Sequence, residues 1–386
     1  MCAGSAHWAL IVARGWLVFD LTGSSGLVGA VTFAAMIPRF LISPFAGLLA
    51  DRVDRRILLA WAFGINITHN LVLAMLTVVS FIEVWHLVAL SFVNGSARAF
   101  QMPASGSLLP NLVPREYLLN AIALNSATLH GTRLLGPLMT GPLLAISSTA
   151  FGPGVAFFLC SALYVVGLVV VSSIGTVSRG SIQVDKGIID NLLAGLKYVY
   201  RDDLLRPLII LVAVHCALTM SFESLLPVLA SEQLGAKGSG FGYMMMAVGT
   251  GAIIGVACLT VVTSEYVRGR LLFTSGIVSG LAPALLAISP SMPMALLAAM
   301  LMGLSQGCFM TLFTTIVQSV VPDSIRGRVT SINNLHIGGI MAAFNLVNGS
   351  LADISGAPII LIFTGLAFTI LMPITLANKS LRTQYG

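Results

Sequence analysis

Along the chain, long apolar runs alternate with short polar breaks, and most of the runs are long enough to cross a bilayer. A helix needs about 20 apolar residues to span the hydrocarbon core. Divided at its polar breaks, the sequence gives about twelve such runs: 6–20, 26–47, 57–80, 86–108, 118–146, 154–174, 206–228, 240–262, 271–289, 293–320, 328–352 and 358–378. Strand signals are absent, and the runs are far too long for barrel strands. The pattern predicts an all-α polytopic membrane protein.

Composition agrees with the pattern. The 386 residues are 57% hydrophobic and 9% charged, with a mean hydropathy of +0.96. A soluble domain of this length needs far more charge to cover its surface. A net charge of +6 would hint at nucleic acid in a soluble protein, but the placement of the cations gives a better reason. Most of them, including Arg52, Arg55, Arg56, Arg115, Lys197, Arg201, Arg268, Arg326 and Lys379, fall in alternate loops or the C-terminal tail, whereas the opposite loops hold only Lys237. This asymmetry predicts a multi-pass membrane protein with both termini and the long central loop in the cytoplasm. The first run has neither a basic leader nor a convincing cleavage site, so it reads as a retained helix; it is short, which leaves an upstream start open.

The runs fall into two sets. Residues 1–174 form the first set of six helices, 175–205 a cytoplasmic linker, and 206–386 the second set with a short tail. Within the linker Ile189, Leu192, Leu193, Leu196 and Val199 share one helical face, which predicts an amphipathic helix lying along the membrane surface. The two sets repeat one another weakly. Leu112-Val113-Pro114, Asn125 and Gly141 match Val320-Val321-Pro322, Asn333 and Gly349 at one constant offset. Shared leucine and valine follow from composition, whereas Pro, Asn and Gly at equal spacing do not. Parallel six-helix repeats imply a substrate path between the halves near the bilayer midplane.

The hydrophilic knot between the second and third runs, Gly47-Leu48-Leu49-Ala50-Asp51-Arg52-Val53-Asp54-Arg55-Arg56, resembles motif A of the major facilitator superfamily, with Asp54 replacing the usual glycine. Further segments resemble one branch, the bacterial exporters related to enterobactin and macrolide efflux proteins (transmembrane secretion effectors). They are Asp20-Leu21-Thr22-Gly23-Ser24, Pro103-Ala104, Leu112-Val113-Pro114-Arg115, Asn120 to Ser126, and Gly195 to Asp202. The resemblance covers essentially the whole chain. It implies two pseudo-symmetric six-helix bundles and a conformational latch on the cytoplasmic side formed by Gly47, Asp51, Arg52, Arg55 and Arg56. An aspartate after a helix C-terminus is unfavourable unless a cation or another helix's N-terminus is close, so docking and release of Asp51 would switch the two conformations. The alternative for these cations is a topology anchor. The second copy, Glu265 to Arg270, keeps an acid but loses the first arginine.

Buried charge is the sharper functional signal. Arg14, Arg39, Arg98 and Arg133 fall inside runs of the first half, and each would cost about 2.5–3.5 kcal/mol at the bilayer centre. Most should therefore face a wet cavity or a partner. Ser91, Asn94, Arg98, Gln101 and Ser105 recur at spacings of three and four, a polar stripe on one helical face. Ser126, His130 and Arg133, with Asn125 beside them, form another. In the second half Asn334, Gly338, Asn345 and Asn348 share a face, and His215, Thr219 and Glu223 recur at spacings of four. Facing stripes predict a substrate cavity of Arg98, Asn94, Gln101, Arg133, His130, Asn125, Asn334 and Asn345, although a single polar residue in a membrane helix also serves helix–helix hydrogen bonding. The excess of buried cations suggests an anionic or acidic substrate. Glu223, His215 and Asp20 are the titratable candidates for proton coupling.

Gly131, Gly136-Pro137 and Gly141-Pro142 resemble in part the glycine-proline motif of drug–proton antiporters. The chain carries no GxxxxGK[ST] nucleotide loop, no HExxH or GxSxG and no metal spacing among its five cysteines, so no cofactor and no enzymatic chemistry are expected. The resulting expectation is a monomeric secondary active transporter that exports a small amphipathic or anionic molecule, such as a siderophore or drug, against protons. The partners are that small molecule, protons and the lipid bilayer, with no nucleic acid. The alternatives are a lysophospholipid flippase and a non-transporting transceptor or accessory protein of the same fold.

Overall fold

The computed structural model describes residues 1–109, 112–114, 117–146, 151–175, 188–262 and 264–385. The side chains of some helical residues, Gly47, Asp51, Arg52, Ser126 and His130 among them, lie outside the described set. The described residues are helical with short connections and no strand. Before the linker run α1 (Cys2–Thr22), α2 (Ser25–Arg52), α3 (Arg55–Val78), α4 (Val84–Leu108), α5 (Leu118–Ile146) and α6 (Phe151–Ser173). The linker holds α7 (Ile188–Arg201). Then follow α8 (Leu205–His215), the short α9 (Leu226–Val228), α10 (Gly238–Leu259), α11 (Glu265–Ala287), α12 (Met292–Val320), α13 (Asp323–Ser355), α14 (Ala357–Ile374) and the terminal α15 (Lys379–Tyr385).

Among the described residues nine helices are long and apolar enough to cross a membrane, and a tenth span arises if the bent pair Gly195–Arg201 and Leu205–Met220 counts as one. α4 and α5 have the length but not the apolar composition of the nine, since they carry Arg98, Arg133 and several amides and hydroxyls. The fold class read from the sequence holds, and twelve crossings stays the sequence's own number.

Local chemistry sets the ends of several helices. α1 stops at Gly23, whose φ of 64° is the left-handed cap that glycine supplies without strain. Ser24 begins α2 by accepting from the Leu27 amide. Asp54 begins α3 by accepting from the Arg56 amide at 3.0 Å. The Asp202 carboxylate accepts from Leu204 and Leu205 N–H and so starts α8. α7 meets α8 at a bend of 100°. Its Val199 is fully buried against the second bundle, while Leu193 and Leu196 are exposed. Exposed apolar side chains on a surface helix suit the bilayer interface that the sequence predicts.

The two bundles meet through antiparallel pairs, α2 with α13 and α5 with α10, and both crossings are built on small residues. A Cβ at Gly29 would sit 2.5 Å from the Asn345 carbonyl oxygen, and one at Gly242 would sit 2.7 Å from Gly141 Cα. Gly141 and Gly349, matched by the sequence repeat, thus occupy equivalent places: Gly141 lies against α10, and Gly349 against Ser25 of α2. Such small-residue contacts let backbones approach closely where lipid offers no hydrophobic drive.

The core divides by depth. At the end away from the basic loops one cluster joins both bundles, with Leu10, Trp16, Val28, Phe157 and Tyr164 of the first and Phe222, Leu226, Phe241, Met245 and Met302 of the second. At the basic end the described core is split. One cluster holds Leu208, Phe309, Phe313, Phe368 and Met372 of the second bundle, and a small separate one holds Leu58, Leu59, Ala104 and Leu108 of the first. Among the described residues, one buried apolar cluster therefore spans both bundles at the far end, whereas at the basic end each buried cluster belongs to a single bundle.

Candidate functional site

The predicted run 206–228 is not one helix. After His215 the chain widens into a π-turn over Cys216–Met220, breaks across Ser221–Leu225, and resumes as α9 and a second π-turn, Leu229–Gln233. Backbone groups freed inside a membrane need other partners, and the second bundle supplies them. Asn348 Nδ2 donates to the Ser221 carbonyl at 2.9 Å, and Gln306 Nε2 to the Thr219 carbonyl at 2.8 Å. Asn345 Oδ1 accepts from the Ser224 amide at 3.3 Å, and the Ser224 hydroxyl donates to the Asn345 carbonyl at 2.9 Å. The break is thus held by α12 and α13.

This corrects the reading of His215, Thr219 and Glu223 as one stripe: His215 and Thr219 stay together on Ser279 of α11, but the break takes Glu223 off that face. His215 is fully buried inside the second bundle, stacked 4.1 Å from Phe309 and bonded to Ser279 Oγ at 2.8 Å. Thr219 donates to the His215 carbonyl. Glu223, within the break, is buried and interacts electrostatically with Arg133, Arg14 and Arg39 of the first bundle. One carboxylate from the second bundle therefore lies within electrostatic reach of guanidinium groups from α1, α2 and α5.

The arginines form a wider group inside the first bundle. Arg39 lies within electrostatic reach of Arg98, and His7 within reach of Arg98, Arg39 and Arg14. Arg98 lies close to Tyr164 of α6, whose buried hydroxyl makes no hydrogen bond. The Arg133 guanidinium stacks over the Trp8 ring at 4.9 Å, a contact that stabilises a cation while leaving its N–H edge available. Arg14 is 4% exposed, and its Nη1 makes no hydrogen bond; the same holds for Arg98 Nε and Gln101 Oε1. Buried polar atoms without partners are costly, so this cluster has unspent donors in its interior.

Other predicted cavity residues have separate fates. Asn94 is buried and donates to Asn66 Oδ1 across α3 and α4, a bond within the first bundle. Asn345 is buried as the staple of the helix break. Asn125 and Asn334 are exposed toward the basic ends of their helices. His130 lies outside the described side chains. Asp20 sits near the far end of α1, with Oδ2 buried and unbonded. The polar stripe on α4 runs from buried Ser91 and Asn94 through half-buried Arg98 and Gln101 to exposed Ser105, so exposure grows toward the basic end.

In the motif A stretch, Gly47, Asp51 and Arg52 lie outside the described side chains, and Arg55 is buried. Arg56 pairs with Asp54 at 2.7 Å and donates to the Ile174 carbonyl at the end of α6. Sequence reasoning missed this use of Asp54. An aspartate directly before a helix start, followed at two residues by arginine, was the available signal. It also missed Asn66, Tyr164 and His7, and it did not foresee the break beside Glu223.

Comparison with known proteins agrees with this architecture. A sequence profile of the family described as Transmembrane secretion effector matches residues 1–384. The multidrug efflux pump Tap of Mycolicibacterium fortuitum is 23% identical over 368 residues, covering 93% of this chain and 87% of that protein. Macrolide efflux protein A of Streptococcus pyogenes is 28% identical over 102 residues, 26% of this chain and 24% of that protein. Among solved structures, a POT family transporter superposes with a TM-score of 0.74 at 14% identity, covering 97% of this chain and 94% of its own. The nucleoside transporter NupG superposes with a TM-score of 0.69 at 14% identity, covering 97% of each. At these identities the structures establish the fold alone, which is the two-bundle major facilitator fold. The chain belongs to the Transmembrane secretion effector family of the major facilitator superfamily, a family of membrane transporters rather than enzymes.

Proposed function

We propose that this protein is a proton-coupled exporter that moves a small amphipathic or anionic molecule out of the bacterial cytoplasm by alternating access. The observation that carries the reading is Glu223, a buried carboxylate in the break of a discontinuous helix, within electrostatic reach of Arg14, Arg39 and Arg133 of the first bundle. Discontinuous helices at a repeat interface are where secondary transporters place their solute and ion sites. A carboxylate held by cations can release them when it takes a proton, and the freed guanidiniums then hold an anionic group. The basic loops mark the cytoplasmic end, where the described cores are apart, so the site would load from that side. The efflux relatives favour export over import.

The test is proton movement in inverted membrane vesicles, read with a pH-sensitive dye while catecholate siderophores, macrolides and lysolipids are added in turn. Dye recovery on adding one class, abolished by Glu223→Gln, is the expected result. Substrate-dependent proton movement that survives Glu223→Gln overturns the assignment of Glu223. A lysophospholipid is the second reading. An apolar groove of about 700 Å³, lined by Ile57, Trp61, Ile65, Val72, Leu90 and Val93, lies on the outer surface of α3 and α4, where a lipid tail fits.

A further inference from the structure

We infer that Asp353 is the latch that closes the transporter at the end opposite its basic loops. Asp353 stands near the C-terminus of α13 in the second bundle, and its carboxylate reaches across to the first turn of α2 in the first. Ser24 Oγ donates to Asp353 Oδ2 at 2.6 Å, the Ser25 amide to Oδ1 at 2.7 Å, and the Gly26 amide to Oδ2 at 3.1 Å. Ser24 Oγ meanwhile accepts from the Leu27 amide at 3.1 Å. The first N–H groups of a helix have no intrahelical partners, and here α2's own serine serves one while the opposite bundle serves two. The anion also sits at the positive end of the α2 dipole. At the same time it is a poor neighbour for the C-terminus of its own α13. The N-cap of α2 is therefore complete only while the two bundles touch.

The approach is built in on both sides. A Cβ at Gly26 would fall 2.7 Å from Asp353 Oδ2 and 3.2 Å from Ser350 Cα, so glycine admits the carboxylate where alanine would displace it. Gly23, in the left-handed conformation, turns the chain from α1 into this cap. The latch is one-sided. The repeat offset that pairs Asn125 with Asn333 pairs Asp353 with Ala145, so the related α5–α10 crossing has close glycines but no carboxylate at this place. When the bundles rock apart at this end, all three donors return to water, which makes the contact reversible.

The inference concerns how the bundles open and stands whichever solute or ion is carried. It is tested by spin-label distances in the full chain in lipid nanodiscs. Labels go at Leu21 and Ile354, both exposed and flanking the contact, with Cys2, Cys258 and Cys308 replaced. A reference pair, Trp61 and Val169, sits on exposed faces of the first bundle. The native protein is expected to favour the short distance. Asp353→Ala and Gly26→Ala should each raise the long-to-short population ratio about tenfold, and Ser24→Ala by less, from the loss of charge-assisted hydrogen bonds. The reference distance should not move. Gly26→Ala keeps the carboxylate and Asp353→Ala keeps the backbone, so a folding failure in one leaves the other to decide. An unchanged Leu21–Ile354 distribution in a folded variant overturns the latch, as does an equal change in the reference pair.

Discussion

Asp54 occupies the place in the motif A stretch where glycine is usual, and its surroundings give it a structural task. It caps α3 through the Arg56 amide and holds the Arg56 side chain, which in turn reaches the Ile174 carbonyl at the end of α6. Arg56 is thus committed within the first bundle. Asp54→Ala removes both cap and pair and should lower stability by about 1–2 kcal/mol. Asp54→Asn keeps a capping oxygen and should recover more than half of that loss. Denaturant titration of the purified protein in mixed micelles separates the two, and equal losses would mean that the ion pair rather than the cap is what matters. The arginines are predicted at the same scale. Arg98→Gln and Arg133→Gln should each cut flux of an anionic substrate at least tenfold while sparing a neutral one, and transport assays with a matched substrate pair decide it.

At the scale of the element, the break in the α8–α9 span is the feature that the sequence concealed. From Leu208 to Ser221 the chain runs without proline or glycine, so nothing local announces a π-turn or an unwound segment. The cause lies in the partners: Asn345 and Asn348 on α13 and Gln306 on α12 offer the hydrogen bonds that make the break affordable. These residues were legible as polar groups in apolar runs, and Asn345 was read as a cavity residue because a stripe does not tell a backbone partner from a solute ligand. Asn345→Leu leaves the Ser224 amide unpaired, which should cost about 1–3 kcal/mol. It should also move Glu223, so transport falls for every substrate alike. Asn345→Asp keeps the acceptor and should preserve more of both. A change in substrate preference without loss of stability would instead return Asn345 to the solute site.

At the scale of the whole molecule, hydropathy and the charge of alternate loops carry the membrane class, and the constant offset between Gly141 and Gly349 marks two repeated halves, whose two glycines lie at equivalent bundle crossings. The site was half legible. Buried arginines stand out in any apolar run, but which of them meet Glu223 depends on how two bundles dock, and no local pattern encodes that. Asp353 was invisible for the same reason: near a helix end it reads as a solvated acid, and its partners at Ser24 to Gly26 lie 329 to 327 residues away. On the alternating-access reading, the end at which one core joins both bundles has to open. Leu21 and Ile354 are exposed and flank this contact, so cysteines at the two positions can be tied by a short bifunctional thiol reagent with a cleavable link. Crosslinking the pair Leu21→Cys and Ile354→Cys should stop transport and cleaving the link should restore it, since the covalent tie replaces the hydrogen bonds that normally release. Substrate binding from the basic side should survive crosslinking, because the tie leaves that end untouched. Transport that continues through the crosslinked pair would mean that the solute leaves without the α2–α13 crossing opening, and rocking of the two bundles would then fail as its mechanism.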